Sequence, residues 1–124
     1  MLHSMLGNVV ILKFAETVSY EETENFKVQV KKLLEEGCRF FAVDMSEVDC
    51  ITSSGLGVIF TAHKELRKYD GKIVLFGLLP HIAKTIRDWR LDRFIPLFST
   101  QNEACAMLKN YAHSQKDAAA LRTS

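Results

Sequence analysis

Two short runs, Arg39 to Met45 (RFFAVDM) and Lys72 to Leu78 (KIVLFGL), are apolar almost throughout and carry no 3.6-residue period. A strand reads this way when both of its faces are covered. Such strands belong to sheets with parallel pairs, whose crossover helices lie on the sheet faces. The residues after each run supply those helices. Leu56, Ile59, Ala62, Leu66 and Tyr69 fall on one helical face until Asp70-Gly71 breaks it. After the second run, Pro80 stands at a first helical position, with Ile82, Ile86 and Trp89 on one side.

The rest of the chain extends the pattern. Leu2 to Leu6 and Val9 to Phe14 are β-favouring runs joined at Gly7-Asn8, residues that tolerate the positive φ of a tight hairpin. Ser19 and Glu22 form a capping box ahead of Phe26, Val30, Leu33 and Leu34, and Gly37 offers a left-handed stop. Phe94 to Phe98 reads as a last short strand whose Pro96 suits an edge. Thr100 with Glu103 then caps a final helix carrying Ala104, Met107, Leu108 and Tyr111. The expected order is β-β-α-β-α-β-α-β-α, an α/β fold with a mixed sheet in one domain over residues 1–112, followed by a flexible tail at 113–124.

Composition narrows the partners. Of the 124 residues, 16 are Lys or Arg and 15 are Asp or Glu, so net charge gives no reason to expect a nucleic-acid backbone or anionic lipid. The start of the chain lacks a basic n-region followed by a long apolar stretch, and no later apolar run approaches the roughly 18 residues a membrane helix needs. A cytoplasmic location is expected. Cys38, Cys50 and Cys105 are widely spaced and read as core thiols, not as a disulfide framework or a thiolate metal site. His3, His63, His81 and His113 show no ligand-like pairing and are expected to be solvated or locally bonded, with no metal and no cofactor. Trp89 and the aromatics near Phe94 read as core, although a partly exposed tryptophan would suit an interface anchor.

The stretch that stands out is Thr52-Ser53-Ser54-Gly55-Leu56-Gly57. It places three hydroxyls at the start of a helix whose first amides lack intrahelical partners. Those amides and the positive end of the helix dipole can receive an anion, including a phosphate esterified to one of the serines. Taken alone, the same residues also suit plain helix capping and a sharp turn. Gly-x-Ser-x-Gly is absent and no recognisable base stands nearby, so no hydrolase is read from Ser53 and no enzyme is expected.

The longer segment Asp49-Cys50-Ile51-Thr52-Ser53-Ser54-Gly55-Leu56-Gly57-Val58-Ile59-Phe60 resembles the signature of bacterial STAS-domain anti-sigma factor antagonists. The likeness extends over most of residues 8–111. In that family the motif reads Asp-Ser-Ser/Thr-Gly-Leu-Gly, and the serine after the aspartate is phosphorylated by a partner that is both anti-sigma factor and serine kinase. Here that serine is Ser53, and Thr52 replaces the aspartate. The family's Gly-Glu-Leu-Asp segment is represented by Ala15-Glu16-Thr17-Val18.

The resemblance implies partner switching. The unphosphorylated chain would bind the kinase, and phosphorylation of Ser53 would release it. A phosphatase is a further implied partner, and the chain itself would be a monomer or weak dimer. The expected contact residues are Thr52, Ser53, Ser54, Gly55, Leu56 and Gly57, with Glu16, Thr17 and Lys64 beside them. Lys64 belongs to a small basic patch with Arg67 and Lys68, which suits either a solvated helix side or the border of an acidic partner surface. Two alternatives stay open. One is a STAS accessory or scaffold module without phosphorylation, such as a transporter-associated subunit. The other is a small phosphate- or nucleotide-binding protein that uses the same helix start, although neither Gly-x-x-x-x-Gly-Lys nor Gly-x-Gly-x-x-Gly is present.

Overall fold

The computed structural model describes the backbone of residues 2–123 and the side chains of residues 3–112. Strands β1 (Leu2–Leu6) and β2 (Val9–Lys13) form the opening antiparallel hairpin, turning at Gly7 with φ +64°. The short β3 (Thr17–Val18) leads into α1 (Tyr20–Glu35), and β4 (Phe40–Asp44) follows. Then come β5 (Cys50–Ile51), α2 (Ser53–Arg67), β6 (Lys72–Phe76), α3 (Pro80–Asp88), a 3-10 turn at Leu91–Arg93, β7 (Leu97–Phe98) and α4 (Gln101–Thr123). The order expected from sequence holds, with two added strands of two residues each.

The main sheet runs β1-β2-β4-β6-β7, and every pair after the hairpin is parallel. Alternation along the central strands divides the core in two. Val10, Leu12, Phe41, Val43, Ile73 and Leu75 meet the buried faces of α1, α2 and α3 on one side. Val9, Ile11, Ala42, Val74 and Phe76 meet Ala104, Cys105 and Leu108 of α4 on the other. Both faces of β4 and β6 are thus covered, which is why their sequences show no alternation.

The ends of α1 form as their residues dictate. The Ser19 hydroxyl accepts the Glu22 N–H at 3.3 Å. The Glu22 carboxylate, however, accepts the Ala15 N–H at 2.8 Å, so the return arm of the box pins the loop before β3. At the other end Gly37 has φ +99°, and the Gly37 and Cys38 N–H groups return to Leu34 and Leu33. Such a reversal needs the left-handed region that glycine reaches without cost.

Several expectations change. Trp89 and Phe94 are exposed at 55% and 44%, not core; Trp89 is the C-cap of α3, and the left-handed Arg90 (φ +60°) turns the chain just after it. The last strand shortens to Leu97–Phe98 because the Phe94 and Ile95 N–H groups return to the Leu91 carbonyl at 3.0 and 2.9 Å and Pro96 has no N–H to give. Among the cysteines only Cys105 is buried, while Cys50 lies exposed in β5. His63, expected to be solvated or locally bonded, is buried. The backbone of α4 continues past residue 112, and the side chains of the tail lie outside the described residues.

Candidate functional site

The parallel strands β2, β4 and β6 all end on one side of the sheet, and the loops that leave them gather there. In open α/β sheets this is the edge where ligands and partners are usually met. The β4 exit continues through Met45, whose N–H reaches the Phe76 carbonyl at 2.9 Å, and then turns. The Glu16 carbonyl accepts the Asp49 and Cys50 N–H groups at 2.8 and 3.2 Å. β3 and β5 then pair in parallel, Thr17 with Cys50 and Val18 with Ile51. This two-stranded ribbon brings Glu16 and Thr17 beside the motif that begins at Thr52.

Thr52 is the N-cap of α2. Its hydroxyl accepts the Gly55 N–H at 3.1 Å and donates to the Val18 carbonyl at 3.2 Å. The Leu56 N–H reaches the Thr52 carbonyl at 3.1 Å. Of the first amides of α2, two are therefore used. Those of Ser53 and Ser54 have no hydrogen-bond acceptor among the described residues.

Both serines are exposed, and no hydrogen bond involves either hydroxyl among the described residues. The first turn of α2 contains no acidic residue, so the positive end of its dipole has no charge upon it. The two glycines differ in purpose. A Cβ on Gly55 would meet Ile51 Cγ1 and Val18 Cγ1, each at 2.9 Å, whereas a Cβ on Gly57 would meet nothing within 4 Å. Gly55 lets α2 lie against the ribbon; Gly57 leaves the surface beside Ser53 bare. Leu56 points inward at 2% exposure and anchors the turn.

Lys64 is not at this end. Eleven residues beyond Ser53, it stands about 16 Å farther along the α2 axis. At this end are two residues to which sequence reasoning gave no role in the site, His81 and Asp49. His81, at the start of α3, reaches the Asp49 carbonyl with Nε2 at 2.7 Å and the Asp49 carboxylate at 3.3 Å. The pair links α3 to the loop before β5. Pro80 signalled the helix start, but the partner lies 32 residues away and no local spacing reveals it.

Among the described residues no group of His, Cys, Asp and Glu side chains could hold a metal ion, and no helix is long and apolar enough to cross a membrane.

Comparison with known proteins agrees with this architecture. A protein of Bordetella bronchiseptica, BtrV, named as a candidate anti-sigma factor antagonist, is 26% identical over 104 residues, spanning 84% of this chain and 90% of its own. The solution structure of TM1081 from Thermotoga maritima superposes with a TM-score of 0.80 at 25% identity, covering 86% of each chain. SpoIIAA of Bacillus, an anti-sigma factor antagonist, matches in its unphosphorylated form with a TM-score of 0.70 at 17% identity, over 87% of this chain and 96% of its own. Its phosphorylated form matches with a TM-score of 0.71. The model of the STAS domain matches residues 5–104, so the chain belongs to the STAS domain family.

Proposed function

We propose that this chain is a non-enzymatic anti-sigma factor antagonist that binds an anti-sigma factor with serine kinase activity while Ser53 is unmodified, and leaves it when Ser53 carries a phosphate. The observation that carries this reading is the state of the Ser53 hydroxyl. It is exposed, free of internal hydrogen bonds and set at the first position of α2, while Thr52 alone supplies the cap. Modification of Ser53 therefore removes nothing the fold uses. Support also comes from SpoIIAA, whose two phosphorylation states match this chain equally well in fold.

In the reaction, the Ser53 oxygen attacks the γ-phosphorus of the kinase's ATP. The new O–P bond forms as the bond to the ADP oxygen breaks, and the hydroxyl proton passes to a base on the kinase. The product carries about −1.5 to −2 charge at the contact. The free Ser53 and Ser54 amides and the dipole accommodate that charge within the chain. Against a partner fitted to the neutral surface, the charge brings a desolvation cost that outweighs a micromolar complex.

Incubation with the cognate kinase and ATP, followed by mass spectrometry, tests the reading. Phosphate is expected on Ser53 and absent from Ser53→Ala, and Ser53→Asp should lose at least tenfold in affinity, or about 1.4 kcal/mol. Unchanged binding by Ser53→Asp would favour the second reading, a STAS scaffold module without phosphorylation. Thr52 is the observation behind that alternative, because it supplies the capping oxygen without a carboxylate.

A further inference from the structure

The far half of α2 carries a surface that the serine turn does not use. Phe60, His63, Lys64 and Arg67 share one helical face by their spacing. The rings of Phe60 and His63 stack with centroids 5.9 Å apart, and Phe94 closes the triangle at 5.5 Å from Phe60 and 5.8 Å from His63. His63 is buried beneath this arrangement, whereas Phe94 keeps 44% of its surface in solvent and Phe60 is half-buried. Lys64 Nζ stands 5.5 Å over the Phe60 ring. Lys72 Nζ donates to the Phe94 carbonyl at 3.1 Å, fastening the aromatic edge to the start of β6.

Three cations, Lys64, Arg67 and Lys72, stand around these rings. Ion pairs among the described residues join Lys13 to Glu47, Lys27 to Glu24, Lys68 to Glu65, His81 to Asp49 and Lys84 to Asp88. None includes Lys64, Arg67 or Lys72. Glu65, the nearest acid in sequence, is held by Lys68 at 3.0 Å and lines the groove between α1 and α2, on another flank of the helix. Burial first, and then the charges of Lys72 and Arg67, hold the His63 pKa below its ordinary value.

We propose that Phe60, Lys64, Arg67, Lys72 and Phe94 form a docking surface for an acidic segment of a second protein, which lays an apolar side chain on the Phe60–Phe94 edge and carboxylates against the three cations. Exposed aromatic area beside cations that have no ion-pair partner among the described residues is the complement of such a segment. Lys72 begins β6, at the opposite end of the strand from the serine turn, so the surface remains open while a partner covers Ser53. A chain with both surfaces joins two proteins, and this inference stands whether or not Ser53 is phosphorylated.

The test is an NMR titration of the isotopically labelled full chain with the synthetic peptide acetyl-Glu-Asp-Glu-Phe-Leu-Asp-Glu-amide. Single-stranded oligo-dT and a peptide with lysine at each acidic position serve as comparisons. The acidic peptide should give saturable shifts at Phe60, His63, Lys64 and Arg67 but not at Ser53 or Ser54, and its carboxylates should raise the His63 pKa. Lys64→Glu and Arg67→Glu, both exposed positions, should retain the free chain's spectrum and weaken the peptide at least about tenfold. Ser53→Asp should bind it as the unmodified chain does. No saturable shift, equal binding of the lysine peptide, or undiminished binding by Arg67→Glu overturns the proposal. Tighter binding of oligo-dT overturns it in favour of nucleic acid.

Discussion

The Thr52 hydroxyl lies 3.2 Å from the Val18 carbonyl and donates to it, so the residue that begins α2 also fastens the end of β3. With the Gly55 N–H as its donor on the other side, one oxygen joins the ribbon to the helix. The geometry of the serine turn depends on that oxygen more than on either serine.

Thr52→Ala should therefore lower stability by about 1–2 kcal/mol, through loss of the cap and of the partner of a carbonyl. For a chain of this size that is a fall in Tm of roughly 3–8 °C. Thr52→Ser keeps the oxygen and should fall much less. Ser53→Ala should stay within about 0.5 kcal/mol of the parent, because the exposed hydroxyl makes no internal bond. Thermal melts of the three variants check the order, and a Ser53→Ala loss as large as that of Thr52→Ala would contradict it.

The glycines of the motif should respond in opposite directions to the same methyl group. At Gly55 the new Cβ collides with Ile51 and Val18, and overpacking there should cost about 1–3 kcal/mol, more than the helix propensity gained. At Gly57 nothing is within reach, and the propensity gain alone should stabilise by up to about 1 kcal/mol. If the proposed kinase approaches over Gly57, Gly57→Ala would bind it less well despite being the more stable protein. Denaturant melts paired with binding measurements separate these effects.

Much of this arrangement can be read in the sequence, and the reasons for the failures are physical. β4 and β6 announced themselves because coverage of both faces removes polar residues, and α1 because Ser19 and Gly37 punctuate it. β3 and β5 were missed because two-residue strands have no period to detect. Their pairing also joins positions more than thirty residues apart. The turn after Trp89 rests on the left-handed φ of Arg90, a conformation that arginine does not advertise. The burial of His63 depends on Phe94 folding back over α2, and the site contact of His81 depends on Asp49. Neither tertiary relation leaves a local trace. Capping by the Thr52–Ser54 stretch was legible, but which of its hydroxyls is the cap was not, and the role of Ser53 came from family resemblance alone.

Buried His63 makes stability depend on pH in a definite direction. Its folded pKa lies below the ordinary 6.5, through desolvation first and then the charges of Lys72 and Arg67. The unfolded chain accordingly takes up its proton at higher pH than the folded chain does. The contribution of neutral His63 is present in full above pH 6.5 and is lost as pH falls through that value toward the folded pKa. His63→Phe, which keeps a ring between Phe60 and Phe94, should flatten this part of the profile. Urea melts across the range test it, and an unchanged slope in the variant would assign the dependence elsewhere.

Ser53→Asp offers the sharpest separation of fold from function. The first turn of α2 has no acidic residue and its Ser53 and Ser54 amides are unpaired, so a carboxylate at residue 53 meets an uncompensated positive end. It should stabilise the free chain by about 0.3–1 kcal/mol, an effect that shrinks as salt screens it. The same substitution is expected to weaken the proposed kinase complex at least tenfold, or about 1.4 kcal/mol. A loss of binding by a protein that melts higher cannot be ascribed to damage in the fold. Calorimetry at low and high salt, run beside the binding titration, provides both numbers. A variant that melts lower and binds less would return Ser53 to a structural role at the helix start.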